Sequence, residues 1–304
     1  MRLAVVVAFA AVLAGCGTAS VSSLEDAADA TAAETSRFEY RFSFGTTKDR
    51  KEVELKAGGV FDYPNERGIM TVDGWSPFFG EDVFLKEFRL IGRTGYVQWV
   101  VKGKTYWVKD EQDETSGDPT ELLIPFPGSP TKPTDVLSRV LRASDQTEEV
   151  GKEDVRRTET THFRARVDLR KLVKQLPAAE RSEEDVVRRW GSRFVPVEIW
   201  IDDESRLRRI TIEQREHEED ANPATTTTVE LFDYGVEVDV QPPPSEDLTS
   251  EEQFDKLTGS MGLEAGEASG EGEPVSPEEV CESARPDLPK KEADRICSEL
   301  KENP

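Results

Sequence analysis

Apolar and polar residues alternate strictly in a segment near the N-terminal end of the chain. Phe38, Tyr40, Phe42 and Phe44 alternate there with charged or small polar residues. A period of two places the apolar side chains on one face of a β-strand and the polar side chains on the other. The pattern therefore predicts a strand with one buried and one solvated face.

Comparable segments follow along the chain, and turn residues separate them. The segments 96–101 and 105–109 are joined by a short Lys102-Gly103-Lys104 turn, which indicates a hairpin. Apolar residues occupy both faces of the segment 96–101, so we expect each side of the sheet to be covered there. The predicted strands after the first are 53–61, 68–72, 84–91, 96–101, 105–109, 147–152, 163–167, 195–201, 207–214, 225–232 and 236–240.

Four segments have the pattern of helices instead. A helix rich in Ala and Glu is predicted over 24–34, with Ser22 or Ser23 as its cap. The other three have apolar residues three and four positions apart, which places those residues on one side of a helix. Their apolar stripes are Val136, Leu137, Val140 and Leu141; Leu169, Leu172, Val173 and Leu176; and Val186, Val187 and Trp190. Blocks of strands with helices between them predict an α+β domain around a large antiparallel sheet.

The N-terminus has the pattern of a bacterial lipoprotein signal. Arg2 precedes an apolar run over 3–13 that is too short to span a bilayer, and Ala14, Gly15 and Cys16 follow it. We expect residues 1–15 to be a signal peptide and Cys16 to carry a thioether-linked diacylglyceryl group. The alternative is an ordinary signal peptide with an incidental cysteine. Two or three acyl chains hold a protein at a membrane far better than one chain does.

Composition and charge exclude several classes of partner. Charged residues make up 33% of the chain, and its formal net charge is −23. Such a charge repels nucleic acid and argues against electrostatic binding to anionic lipid. No later segment approaches the apolar length of a membrane span. We therefore expect a protein held by its lipid anchor on the extracytoplasmic face of the cell membrane.

The strand pattern ends at residue 241, and a different composition follows. Residues 242–275 begin with three prolines and continue as an acidic segment rich in Gly and Ser, which is typical of a disordered linker. Residues 276–304 have the pattern of two short helices that would bring Cys281 near Cys297. A disulfide there would stabilise the small unit by about 3 kcal/mol. Two free thiols in a disordered tail are the alternative.

Several motifs in the middle of the chain resemble those of a known family. They are Thr161-His162-Phe163-Arg164, the segment 195–202 and Phe232-Asp233-Tyr234-Gly235. The lipoprotein signal that ends at Cys16, the lipobox, matches the same family. Over about residues 35–245 the chain is similar to actinobacterial lipoproteins of the LolA-like superfamily, the LppX/LprG group. The resemblance implies a curved antiparallel β half-barrel with helices packed in its concave face, and an apolar cavity that binds an acylated lipid or glycolipid. The expected domains are a tether and N-terminal helix over 16–36 and the LolA-like domain over 37–241. The linker over 242–275 and the C-terminal helical hairpin over 276–304 depart from the family pattern.

The resemblance and the alternation together indicate which residues would line such a cavity. The same residues filling a closed core is the alternative interpretation. Arg164 and Arg166 are candidates for a lipid headgroup, and an exposed basic face that balances nearby acids is the alternative for them. The expected cavity-lining residues are Phe38, Tyr40, Phe42, Val97, Trp99, Leu137, Leu141, Leu172 and Leu176.

The chain offers little for catalysis, so we predict no catalytic residue, metal or cofactor. His162 and His217 are its two histidines, and His162 has the setting of a structural strand residue. The sequence has no Gly-x-Ser-x-Gly motif for a serine nucleophile. The acidic runs 110–114 and 216–220 do not have the spacing of a calcium-binding EF-hand loop.

Two functional hypotheses follow from the sequence. In the first, the protein is a lipid-anchored, non-enzymatic envelope protein that binds or carries a hydrophobic ligand between sheet and helices. In the second, the core is filled and the C-terminal hairpin is presented to a protein or cell-wall partner in the envelope. Neither hypothesis involves nucleic acid.

Overall fold

The structure is a computed structural model that describes residues 21–45, 52–73, 83–111, 133–175, 183–214 and 225–259. The described helices are α1 (Val21–Ala32), α2 (Pro133–Ala143), α3 (Leu169–Val173), α4 (Glu183–Trp190) and α5 (Glu251–Gly259). The described strands are β1 (Thr35–Gly45), β2 (Glu52–Asp62), β3 (Arg67–Asp73), β4 (Val83–Ile91), β5 (Thr94–Val101), β6 (Lys104–Glu111), β7 (Ser144–Val155), β8 (Thr158–Asp168), β9 (Phe194–Asp202), β10 (Leu207–Gln214), β11 (Thr225–Phe232) and β12 (Leu248–Thr249).

The strands form one open, curved sheet in the order β12-β6-β5-β4-β3-β2-β1-β11-β10-β9-β8-β7. Strands β1 to β6 form a meander from the middle of the sheet to one edge. Strands β7 to β11 form a second meander from the other edge back to the middle, where β11 pairs with β1. Every pairing is antiparallel except that of β12 with β6. The chain is thus built from two meanders that meet at a central seam.

Helices cover one face of this sheet, here called the concave face, and the face opposite is called the outer face. On the second meander, α2 and α3 contact β8, and α1 contacts β10. The hydroxyl of Thr31 in α1 donates to the carbonyl of Ala27 at 2.7 Å and accepts from the backbone N–H of Leu207 at 2.9 Å, which fixes α1 to the start of β10. The predicted α+β fold, a curved antiparallel half-barrel with helices in its concave face, is confirmed.

The segment 236–250, here called the strap, differs from the prediction. Instead of adding a strand over 236–240, it crosses the outer face from the middle of the sheet towards β6. Val238 and Val240 are both buried, and Arg89 of β4 donates to the carbonyl of Gln241 at 2.8 Å. The strap thus provides the cover that apolar residues on both faces of 96–101 led us to expect.

The linker predicted from residue 242 is therefore placed too early. Pro243 is buried, residues 245–247 form a 3₁₀ turn, and Leu248 pairs with Trp107 on β6. A stiff proline segment loses little conformational entropy on ordering, so a few buried apolar side chains are enough to fix it. Residues 252–259, the described part of a second compact unit, lie in α5. The rest of the linker and the hairpin 276–304 lie outside the described residues.

The turn between β7 and β8 is held against the outer face by a buried acid. Arg156 and Arg157 both have positive φ values, 49° and 68°, as a type I′ hairpin turn requires. Arg156 donates from Nε to Glu230 Oε2 at 2.6 Å, and its guanidinium also bonds Glu39. The side chain of Glu230 is 4% exposed and accepts from Arg209 as well, at 2.6 Å. This acid joins the hairpin tip to β10 and β11.

A second buried carboxylate closes the turn between β9 and β10. Asp202 accepts from the backbone N–H groups of Glu204 and Arg206, and Arg208 donates to it at 2.6 Å. Burial would raise the pKa of Asp202, but these hydrogen bonds and the nearby guanidinium charges lower it below its ordinary value. Burial would also raise the pKa of Glu230, but the hydrogen bonds and charges of Arg209 and Arg156 outweigh it, so the pKa is lowered.

The first prediction concerns how much Glu230 contributes to the stability of the fold. Glu230→Gln leaves Arg156 and Arg209 beside a neutral group in a buried position, so we expect the free energy of unfolding to fall by about 2–3 kcal/mol. The matched control is Glu54→Gln, which removes the acid of an exposed pair with Lys56, 2.9 Å apart, and should cost less than about 1 kcal/mol. Chemical denaturation measures both, and equal losses in the two variants would contradict the assignment.

The second prediction is an acid dependence of stability. The pKa values of Asp62, Asp168, Asp202 and Glu230 are all lowered in the folded chain. Their contribution is complete above the unfolded pKa of about 4 and is lost as pH falls from there through the folded values. We expect the free energy of unfolding to decline below about pH 5, and to decline less steeply in Glu230→Gln than in the unchanged chain. Parallel pH curves for the two proteins would argue against this origin.

Candidate functional site

The part of the concave face under the helices is a filled core. Leu137 and Leu172 are 0% exposed, Tyr40 is 1% exposed and Leu141 is 8% exposed. On the opposing strands, Phe163, Ala165, Val197, Ile199 and Ile210 are buried as well. These four residues predicted to line a cavity therefore pack against other side chains, as the filled-core alternative expects for this region.

The remaining part of the concave face, on β1 to β5, is less completely covered. Phe38, Phe42, Val97 and Trp99, all predicted to line a cavity, are half-buried. Three further half-buried residues lie on the same face, namely Phe61, Val72 and Leu85. We call these seven residues the β1–β5 patch. Leu176, the ninth predicted residue, lies outside the described residues.

Strand register joins the patch into a continuous wall. Phe38 opposes Gly59, Gly59 opposes Met70, and Phe88 lies between Met70 and Val97, which gives one row across five strands. Leu85 opposes Trp99 in the adjacent row. A side chain on Gly59 would lie 1.9 Å from the carbonyl oxygen of Ile69, so this row requires glycine where two strands approach closely.

The wall is uncharged. Along the described concave positions of β1 to β5, the alternating residues are apolar or small apart from Ser36 and Tyr40. Burial raises the pKa of the Tyr40 phenol well above its ordinary value, so this hydroxyl stays neutral. Trp190 of α4 is 1% exposed, and its indole N–H has no hydrogen-bond partner in the described part of the chain. Such a surface suits a hydrocarbon ligand better than a charged one.

Arg164 and Arg166 lie on the outer face, on the side of the sheet opposite the helices. Their neighbours in β8, Phe163, Ala165 and Val167, point into the core. The two arginines line an outer pocket of about 320 Å³ over β7, β8 and β9. A headgroup bound there would be separated by the sheet from the β1–β5 patch.

The two arginines differ in their partners. Arg164 donates from Nε to Glu198 at 2.8 Å and from Nη1 to Glu148 at 3.2 Å, as the charge-balancing alternative expects. Arg166 instead stacks on the ring of Phe194, with its Cζ 4.3 Å from the ring centroid. Nearby, a hydrogen bond from Arg193 is the main cause of a lowered pKa at Asp168.

His162 lies on the same outer face and has structural contacts. Its ring stacks on Trp200 with centroids 4.3 Å apart, and its Nε2 contacts Glu198. No set of three His, Cys, Asp or Glu residues within the described ranges could hold a metal ion. None of the described helices is long and apolar enough to cross a membrane. His217, Cys16, Cys281 and Cys297 lie outside the described residues.

Phe61, Val72 and Leu85 were not predicted as ligand residues, although a signal existed for two of them. Phe61 and Val72 lie in predicted strands, and their strand neighbours alternate with them in the expected way. Leu85 is different, because a β-bulge between Leu85 and Glu87 shifts the register and breaks the alternation. The sequence alone therefore does not show which β4 residues before the bulge face the concave side.

Comparison with known proteins finds several solved structures that are similar to this chain. No family model matches the chain, and no curated protein matches it. It is similar to LprF from Mycobacterium bovis, with 13% identity and a TM-score of 0.41 over 74% of this chain and 97% of that chain. It is similar to the lipoprotein LppX from Mycobacterium tuberculosis, with 14% identity and a TM-score of 0.40 over 73% and 97%. It is also similar to a LolA superfamily protein from Nitrosomonas europaea, with 10% identity and a TM-score of 0.24 over 75% and 96%. The group named from the sequence motifs thus occurs among these solved structures.

Proposed function

We propose that this chain is a non-enzymatic, lipid-anchored envelope protein that binds an acylated lipid or glycolipid against the β1–β5 patch. The observation that carries the proposal is the contrast in burial along one apolar face. Concave residues under the helices are fully buried, whereas the seven residues of the patch remain half-buried. An apolar wall that the protein itself covers incompletely can gain free energy by covering it with a ligand.

The size of this gain is sufficient for binding without specific polar contacts. Each methylene moved from water to an apolar surface contributes about 0.8 kcal/mol. A long acyl chain has more methylenes than the cost of association requires, even if a part of it stays in water. Aromatic side chains such as Phe42 and Trp99 supply large contact areas to such a chain.

The lipid anchor and the patch would serve one role at the membrane. Cys16 would hold the domain at the extracytoplasmic face, while a ligand taken from or delivered to that membrane lies in the open half of the concave face. An envelope protein partner for residues 276–304 and a bond between Cys281 and Cys297 stay predictions.

The third prediction tests the patch with neighbouring residues of one strand. Val72→Glu places a carboxylate on the concave face, and Thr71→Glu places the same group on the outer face, where Thr71 is exposed. Desolvation of the carboxylate should weaken binding of monopalmitoylglycerol by about tenfold or more in Val72→Glu and leave it within about twofold in Thr71→Glu. Native mass spectrometry and titration of the delipidated full chain measure the affinities.

A milder variant keeps this test decisive if Val72→Glu unfolds. Trp99→Ala removes a half-buried ring without adding charge, and we expect it to weaken the same binding severalfold while thermal unfolding still shows a cooperative transition. Absence of saturable monopalmitoylglycerol binding by the unchanged chain would overturn the proposal. Equal affinities in Val72→Glu and Thr71→Glu, both folded, would overturn the assignment of the site.

A further inference from the structure

The outer pocket over β7, β8 and β9 contains an arginine whose cross-strand neighbours are neutral. In one row of the sheet, Arg164 lies between Glu148 on β7 and Glu198 on β9. In the next row, Arg166 lies between Gln146 and Pro196. The first row is balanced in charge by its register. The second row places a cation where neither adjacent strand supplies an acid.

No described carboxylate forms an ion pair with Arg166, although the chain as a whole is strongly acidic. The contact that the structure gives its guanidinium is the stack on Phe194, 4.3 Å from the ring centroid. Arg193 stacks on the same ring at 4.9 Å, but Asp168 neutralises it through a hydrogen bond of 2.6 Å. Stacking orients the plane of a guanidinium and leaves its edge, with its N–H donors, available for an oxyanion.

We propose that this outer pocket is an anion site, in which Arg166 binds the phosphate group of a small ligand or of a phospholipid headgroup. The pocket of about 320 Å³ has room for a phosphate and a short polar substituent. The amide of Gln146 is a further donor in its lining, while Phe194 and Pro196 supply apolar walls. Glu148 also lines the pocket and pairs with Arg164, so it limits the positive charge that a ligand meets.

The site is independent of the β1–β5 patch, because the two lie on opposite faces of the sheet. Binding of a phosphate group in the outer pocket therefore requires no acyl chain, and its test does not depend on the proposed lipid function. A soluble phosphate and a deacylated lipid headgroup distinguish the two sources of the anion.

The fourth prediction is a pair of opposite effects on phosphate affinity. The full chain is titrated with inorganic phosphate and with glycerophosphoglycerol at constant ionic strength, and binding is followed by calorimetry and NMR shifts. Arg166→Gln should weaken binding by about tenfold or more, because the charged donors are lost. Glu148→Gln should tighten binding severalfold, because it removes a nearby negative charge and frees the Nη1 donor of Arg164, while Glu198 still holds its Nε.

Two control variants separate these effects from a general change in charge. Lys104→Gln removes an exposed positive charge on β6, and Glu149→Gln removes an exposed acid on β7 directly before the bulged residue Val150. Both should bind as the unchanged chain does, within about twofold. Tighter binding of glycerophosphoglycerol identifies a lipid headgroup as the source, and tighter binding of inorganic phosphate identifies a free anion. Absence of saturable binding of both probes, or equal affinities of Arg166→Gln and the unchanged chain, would overturn the proposal.

Discussion

The removal of one apolar sheet face from water is the constraint on which this molecule depends. Strands β1 to β5 and β8 to β11 contribute apolar side chains to the concave face, because the period of the pattern matches the pleat. The helices α1 to α4 are short, and the most extensive described contacts between helices and sheet lie on β8 and β10. The second meander therefore has a dry core, whereas the first meander combines buried residues such as Met70 and Phe88 with the half-buried side chains of the β1–β5 patch. This unequal cover, rather than any single residue, is the feature on which the proposed binding of a hydrophobic ligand rests.

The outer face meets the opposite requirement with paired charges. Acids such as Glu230 and Asp202 are almost fully buried there, and each is compensated by guanidinium groups. Buried charges of this kind contribute to stability through complete pairing, since an unpaired member would be costly. The same face holds the β7–β8 turn through Arg156 and the strap through Arg89. Its arginines thus do more than solubilise the sheet, because they hold two segments that cross it.

Alternation and helical spacing predicted most of this architecture from the residues alone. Strands β1 to β11 and the buried stripe of α2 were expected from these patterns, whereas the curved half-barrel was expected only from the family resemblance. The strap was mistaken for a strand and a linker, because alternating Val238 and Val240 look the same whether their backbone pairs or merely crosses a sheet. Proline and acidic residues after 241 favoured disorder, but a few apolar anchors fixed the segment. Composition gives the average tendency of a segment and does not show which single side chains will be buried against the rest of the protein.

The candidate sites show that the sequence alone does not determine how deeply each apolar residue of the sheet is buried. Burial separated Phe42, Val97 and Trp99 from Leu137 and Leu172, although all five have equally good periodic positions. That difference depends on how completely the folded chain covers each part of the sheet, which is a tertiary property.

The two arginines of β8 make the same point in electrostatic terms. Arg164 and Arg166 occupy equivalent positions two residues apart, and in sequence they form one basic cluster. The registers with β7 and β9 give the first two acids and the second a glutamine and a proline. In a chain with a net charge of −23, most arginines can find an acid. Arg166, which the register leaves beside neutral neighbours, therefore supports the proposed preference for an anion that the described part of the chain does not supply.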